Sequence, residues 1–231
     1  MNEHPGAATT GEDIDRAGLA ARIDHTILRP EATTAEVLDT AAVAVSSGCA
    51  TVCVQPAMVA AVRGAVGDRI PVCAVVGFPH GASLSRTKGD EAAAAVAQGA
   101  REIDMVADLG ALADGDLAAV AADVAAVREA APSIVLKVIL ESALWTPPEL
   151  RQACEAVVGA GADFVKTSTG FHPSGGATVE AVTVMRDAVG HRARVKASGG
   201  IRHTDAALAM LAAGADRLGL SATTAVLDGL A

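Results

Sequence analysis

Eight short runs of β-branched and aliphatic residues recur along the chain, each followed by an alanine-rich stretch with helical spacing. No other feature restricts the fold as much. The runs predict strands at 23–28, 51–55, 72–77, 102–107, 135–140, 164–168, 194–198 and 217–221. Strands that alternate one by one with helices pair in parallel, because each helix carries the chain back along the sheet before the next strand begins. A weak internal repeat supports the same unit: SGCATVCV from Ser47, QGAREIDMV from Gln98, AGADFVKTS from Ala160 and AGADRLGLS from Ala213. In each, a glycine ends a helix and the next strand starts two or three residues later. Eight such units in 231 residues predict a single (β/α)8 TIM barrel of the α/β class. The competing fold is a doubly wound Rossmann-type sheet, but no G-x-G-x-x-G follows the first strand.

The stretch 12–22, EDIDRAGLAAR, predicts an extra N-terminal helix ahead of the first strand, placed to close the barrel floor; its acidic start suits a helix N-terminus. The expected organisation is a segment at 1–22 and the barrel at 23–231, with no linker-like composition between them. The opening residues lack the basic start and apolar centre of a signal peptide. No run approaches the ~18 apolar residues of a membrane span. A net charge of -9 and an aromatic content of 2% argue against a nucleic-acid surface, which needs basic patches and stacking rings. Cys49, Cys53, Cys73 and Cys154 form no CxxC pair and read as buried thiols of a cytoplasmic protein.

Of the 18 basic residues, only Lys88, Lys137, Lys166 and Lys196 are lysines. Three of these sit inside predicted strands, in VLKVIL, FVKTST and RVKAS. Arginine stays charged, whereas lysine can lose its proton and become a nucleophile. Residues i and i+2 of a strand share a face, so an inward Lys166 brings Ser168 inward and turns Val165 and Thr167 toward the helices. The same parity places Lys137, Lys196 and Ser198 inside, puts Asp24 and Thr26 on one face, and turns Asp104 and Val106 inward. Lysines and carboxylates then converge at the strand ends, where barrel enzymes keep their active sites. The bland alternative is a set of structural ion pairs, yet buried pairs stabilise a fold poorly. Lys88, in SRTKGDEA, is expected to open a surface helix, and Cys53 is expected to be a core thiol.

Taken in order, IDHTILRPEAT, VCVQPAMV, VVGFPHG, EIDMVADLGAL, LKVILE, FVKTSTGF, SGGATVEAV, VKASGGIR and RLGLSA are recognisable. The sequence closely resembles the deoxyribose-phosphate aldolases, class I aldolases that work through a lysine Schiff base on a (β/α)8 barrel. The resemblance implies Lys166 as the Schiff-base nucleophile, with Asp104 and Lys196 as the proton donors and acceptors. The implied reaction is reversible cleavage of 2-deoxy-D-ribose 5-phosphate to D-glyceraldehyde 3-phosphate and acetaldehyde. The partners are then a phosphorylated sugar and aldehydes, with no nucleic acid and no membrane, and the chain is expected to form a homo-oligomer. No cofactor is expected. The six histidines make no H-x-x-x-H or His/Cys spacing of the kind a zinc-dependent aldolase needs, so no metal is expected either.

A free lysine has a pKa of about 10.4, which leaves about one amine in 2,500 neutral at pH 7. A second ammonium at about 5 Å, in an effective dielectric of about 20, disfavours the charged form by roughly 3.3 kcal/mol. Lys196, one strand over on the same face, is the expected neighbour, with desolvation adding to its effect. Asp24, Thr26, Lys137 and Thr167 are expected to contact substrate. For the phosphate, the loops after strands 7 and 8 read SGGIR and GLSAT. Gly199, Gly200, Ser221 and Gly170 are the expected contacts there. The chain departs from the family at Arg29, often lysine, and at Gln55, often asparagine, and has one more residue in FHPSGG than many members. It contains no tyrosine, so a proton-transferring tyrosine tail is not expected. Three alternatives share parts of this pattern: a related Schiff-base aldolase with another substrate, a phosphate-binding barrel isomerase, and a non-catalytic sugar-phosphate sensor.

Overall fold

The computed structural model describes residues 14–230. Its strands are β1 (Ile23–Thr26), β2 (Thr51–Val54), β3 (Val72–Val76), β4 (Glu102–Val106), β5 (Val135–Ile139), β6 (Phe164–Lys166), β7 (Arg194–Ser198) and β8 (Arg217–Leu220). Each pairs in parallel with the next, and β8 returns to β1 through Ile23↔Leu218, Asp24↔Gly219 and His25↔Leu220. The sheet is therefore a closed barrel, as the alternation predicts. β6 stops two residues short of its expected end because the chain leaves the ladder there: Thr169 turns to the Glu141 carboxylate, bonding it through its hydroxyl at 2.6 Å.

Between the strands run α2 (Thr34–Ser47), α3 (Val59–Val66), α4 (Ser85–Ala97), α5 (Leu109–Ala113), α6 (Leu117–Ala130), α7 (Pro147–Gly159), α8 (Val179–Val189) and α9 (Thr204–Ala212), with α1 (Arg16–Ala20) before the barrel and α10 (Thr223–Asp228) after it. Capping boxes start α2 and α7, pairing Thr33 with Glu36 and Thr146 with Glu149. Helix α1 falls within the stretch 12–22 expected to be helical; the part of that stretch before residue 14 lies outside the described residues. It leans on α10 through an Arg16–Asp228 ion pair at 2.9 Å and buries Leu19.

The internal repeat has a physical basis. Gly48, Gly99, Gly161 and Gly214 all take positive φ, and in all four cases the next strand begins three residues later. In the two AGAD copies the aspartate has one job performed twice. Asp163 accepts the Leu136 N–H and the Arg128 guanidinium; Asp216 accepts the Val195 N–H and the Arg186 guanidinium. Each tethers the preceding strand to the helix that leads into that strand, α6 to β5 and α8 to β7.

Two apolar regions result. The larger lies between sheet and helices and takes the outward strand residues, among them Val52, Ile103, Met105, Val138, Val165 and Val195. Each fully buried valine or isoleucine there contributes about 1.5–3 kcal/mol. The smaller lies inside the barrel on the β2–β3 side, where Leu28, Cys53, Cys73 and Val75 meet Phe78. Elsewhere the interior holds the charged residues, interleaved with Val106, Ile139 and Phe164.

Lys88 corrects one expectation. It does lie near the start of α4, yet it is fully buried: its Nζ donates to Asp123 Oδ2 at 2.6 Å and to the Val106 carbonyl at 3.0 Å. Helix α4 packs flat against α6, and a lysine at the seam reaches a carboxylate that sequence spacing does not reveal. All four cysteines are free and buried, as expected. Among the described residues no helix is long and apolar enough to cross a membrane.

Candidate active site

A cavity of about 410 Å³ opens at the C-terminal end of the barrel. Lys166, Thr26, Gly170, Gly199, Gly200 and Ser221 line it, and all six are expected site residues. Lys166 is the only lysine among the lining residues and is 3% exposed. It ends β6, and its Cα pairs with that of Lys196 on β7, so the two amines leave the sheet side by side. Space for Lys196 comes from Gly219 on β8: a Cβ there would come within 3.0 Å of Lys196 Cε.

Beneath Lys166 lie the other predicted charges. Lys166 Nζ donates to Asp104 Oδ2 at 2.7 Å, and Lys196 Nζ donates to the same oxygen at 2.6 Å. Lys196 also reaches Asp24 Oδ2 at 2.5 Å, and Lys137 reaches Asp104 Oδ1 at 2.9 Å. Asp24, Asp104, Lys137 and Lys196 are all 0% exposed. Burial alone would raise Asp104, but Lys137, Lys166 and Lys196 outweigh it and hold the carboxyl well below the usual range. Asp24 is lowered in the same way by Lys196, Lys137 and Arg217. Burial alone would lower Lys196, but Asp104 and Asp24 hold it above the ordinary ammonium range. Lys137 is likewise raised, by Asp104 first. The picture of two mutually repelling ammonium groups, drawn from sequence, leaves out this shared carboxylate; Asp104 attracts both amines and opposes their repulsion.

Three expected substrate contacts lie elsewhere. Asp24 and Lys137 are not on the cavity wall but under it, spent on the ion cluster. Thr167 is also absent from the wall; its hydroxyl accepts from the Ser198 N–H at 2.9 Å and donates to the Ser198 carbonyl at 3.1 Å, stitching β6 to β7. Parity had already turned that side chain away.

The structure adds residues to the site that the sequence did not mark as contacts. Arg202 and Arg29 line the cavity and bring positive charge to its rim, Arg29 being paired with Glu31 and Glu36. The signal for Arg202 was its place directly after the glycine loop. Glu141 is buried in a left-handed backbone conformation (φ 52°), and its carboxylate accepts both the N–H and the hydroxyl of Thr169, fixing the loop that carries Gly170 and Phe171. Gln55 donates to the Leu28 carbonyl at 3.0 Å and so braces the β1–α2 loop. Glu102 and Arg217 extend the ion cluster toward the barrel floor. Among the described residues one trio has metal-ligand spacing: Cys53, Cys73 and Asp104. It suits a cation poorly. Burial pushes the Cys73 thiol up, and three lysine side chains already occupy the Asp104 oxygens.

Comparison with known proteins agrees with this geometry. The sequence profile of the DeoC/LacD family aldolases matches residues 19–227. The chain belongs to the DeoC/LacD aldolase family. As an aldolase of this family it has curated relatives named deoxyribose-phosphate aldolase; that of Mycobacterium avium is 59% identical over 220 residues, covering 93% of this chain and 98% of the relative. Among solved structures, the aldolase QR15 is 36% identical with a TM-score of 0.87, covering 91% of this chain and 94% of its own. The tetrameric deoxyribose phosphate aldolase of Aeropyrum pernix is 33% identical with a TM-score of 0.86, covering 93% and 91%.

Proposed function

We propose that this aldolase cleaves 2-deoxy-D-ribose 5-phosphate reversibly to D-glyceraldehyde 3-phosphate and acetaldehyde, through an imine on Lys166 and without a metal. The observation that carries this reading is the position of Lys166: its amine stands at the cavity floor with one hydrogen bond, to Asp104 Oδ2 at 2.7 Å, over a buried set of matched charges. A neutral amine can donate that hydrogen bond and still direct its lone pair at a carbonyl carbon.

Attack of Lys166 on the sugar aldehyde forms the N–C bond. The nitrogen gives up a proton toward Asp104, while Lys196, working through a water, supplies one to the carbonyl oxygen. Loss of water leaves an iminium. It draws in the electrons of the neighbouring C–C bond as the adjacent hydroxyl loses its proton, so glyceraldehyde 3-phosphate departs and an enamine remains. Protonation of the enamine carbon and addition of water release acetaldehyde and restore the amine. Lys196, held charged by two carboxylates, has the proton to give, and Asp104, held ionised, has the lone pairs to take one. Each shift makes the group a weaker acid or base than its free form, so it is their contact at Asp104 Oδ2 that couples them to Lys166.

The phosphate would sit at the far end of the cavity, against the N–H groups of Gly199 and Gly200, Gly170 and the Ser221 hydroxyl, with Arg202 adding charge. The names of the relatives support this substrate, and the tetrameric relative supports assembly into a homo-oligomer. The reading is of a cytoplasmic enzyme; among the described residues no helix is long and apolar enough to cross a membrane.

Borohydride reduction in the presence of acetaldehyde, followed by peptide mapping, tests the reading. N-ethyl-lysine at position 166 is the expected product. Binding of the sugar phosphate with no adduct at Lys166 would leave an isomerase or a sensor in its place.

A further inference from the structure

Three carboxylates and three cations form a closed ring across the barrel interior. Going round, Arg217 Nε pairs with Asp24 at 2.8 Å, Asp24 with Lys196 at 2.5 Å and Lys196 with Asp104 at 2.6 Å. Asp104 pairs with Lys137 at 2.9 Å, Lys137 with Glu102 at 2.5 Å and Glu102 with Arg217 at 3.1 Å, which closes the circuit. The signs alternate at every step, so the six groups sum to zero. Lys166 is attached to this ring only at Asp104. Protonated, it adds a charge that no ring member balances; neutral, it leaves the ring balanced.

Glu102 and Arg217 are the two members farthest from the chemistry. They begin β4 and β8, at the opposite end of the barrel from the cavity, and neither lines it. Arg217 makes three contacts, one to Asp24 and two to the Glu102 carboxylate, and all are with ring members.

We infer that Glu102 and Arg217 are positioning residues that set, from the barrel floor, how readily Lys166 gives up its proton. The inference rests on the imine reading above and extends it to residues that never meet substrate. The charge of each floor residue is felt at Lys166 because the ring residues between them are buried, where charges are screened less than at a surface. Every charged or titratable group facing that interior takes part. They are Asp24, the Cys53 and Cys73 thiols, Asp104, Lys137 and Lys196, with the buried Glu141 carboxylate against Thr169, Arg194 over the Phe164 ring at 4.1 Å, and His25, Arg29 and Arg202 on the cavity side.

The sign of the charge makes the test. The reading requires a neutral amine, so kcat/KM for cleavage rises with pH along an acid limb. Glu102→Gln removes a negative charge, destabilises the ammonium of Lys166 and should move that limb to lower pH, on the order of 0.5 to 1 pH. Arg217→Met should move it to higher pH by a similar amount, and the double variant should bring it back toward wild type. Glu102→Asp and Arg217→Lys, which keep the charges, should keep the limb. A floor that merely held the barrel together would lower activity without moving the limb in opposite directions. Shifts of both single variants in the same direction, no shifts, or a double variant as displaced as either single would overturn the inference. If a single variant does not fold, the double decides: folded with a wild-type limb supports the ring, and unfolded or displaced refutes it. Borohydride trapping on the wild-type enzyme separates the two claims. Absence of an adduct removes the imine reading, while an adduct with an unmoved limb removes only the role of the floor.

Discussion

Lys166 and Lys196 occupy paired positions on neighbouring strands and donate to one and the same oxygen, Asp104 Oδ2, at 2.7 and 2.6 Å. Their surroundings divide the work between them. Lys196 has a second carboxylate, Asp24, and no exposure; Lys166 has neither the second partner nor the complete burial. One amine is kept as an ammonium, and the other is offered to the cavity.

Lys166→Arg should therefore abolish cleavage, by on the order of 10³-fold or more, and abolish borohydride trapping, since a guanidinium does not form the imine. Lys196→Arg keeps a cation beside Asp104 but changes its shape and acidity, so it should lower kcat by about 10²–10⁴-fold. Trapping at Lys166 should remain measurable in that variant. Steady-state cleavage rates and mass mapping on the two proteins check both statements; normal turnover by Lys166→Arg would end the imine mechanism.

The buried Lys88–Asp123 pair leads to a stability effect remote from catalysis. Lys88→Met strands a carboxylate with 2% side-chain exposure, one of whose oxygens is already without a hydrogen-bond partner. The expected loss is about 3–5 kcal/mol in urea unfolding. Replacing both, as Lys88→Met with Asp123→Leu, removes the stranded charge and should recover most of that loss. A double variant as unstable as the single would show that the Val106 carbonyl, and not the ion pair, is what Lys88 serves.

Lys88 also shows where the sequence stopped being legible. The eight strands were readable because period-two and period-3.6 patterns are local, and Lys166, Lys196 and Asp104 were readable because parity on a strand is local too. Lys88 is a helix residue whose partner lies on another helix, and no spacing rule links α4 to α6. Glu102 was within reach: it shares a face with Asp104 by the same i, i+2 rule, and Arg217 shares one with Gly219. Thr167 marks the opposite case, in which adjacency to the key lysine outweighed a parity that correctly turned it away from the cavity.

The ion ring makes stability depend on pH in a direction fixed by its shifts. Asp24 and Asp104 are lowered on folding, so they stabilise the fold above the unfolded carboxyl pKa of about 3.9, and that contribution fades as pH falls toward their folded values. Lys137 and Lys196 are raised, so their contribution is complete below about pH 10.4 and fades above it. Melting temperature should be insensitive to these groups from about pH 5 to 9 and fall beyond both ends. Asp24→Asn should cost about 3–5 kcal/mol at pH 7, because it leaves Lys196 and Arg217 each short of a buried partner. The difference from wild type should shrink below about pH 4. A penalty that stayed constant into acid would mean packing, not charge, is what Asp24 supplies.

The phosphate end of the cavity can be separated from the chemical end by choice of substrate. Arg202→Ala removes a cation from the wall and should raise KM for 2-deoxy-D-ribose 5-phosphate by roughly tenfold or more, with kcat nearly unchanged. Gly199→Ala acts on the backbone. Gly199 has φ +88°, and a Cβ on it would meet Gly176 Cα at 2.9 Å, so the loop must move and its N–H groups with it. Both variants should cleave unphosphorylated 2-deoxyribose at close to the wild-type rate, because Lys166 and Asp104 lie on β6 and β4, outside that loop. Equal losses on the two sugars would place the phosphate elsewhere and make Arg202 and Gly199 supports of the imine-forming end.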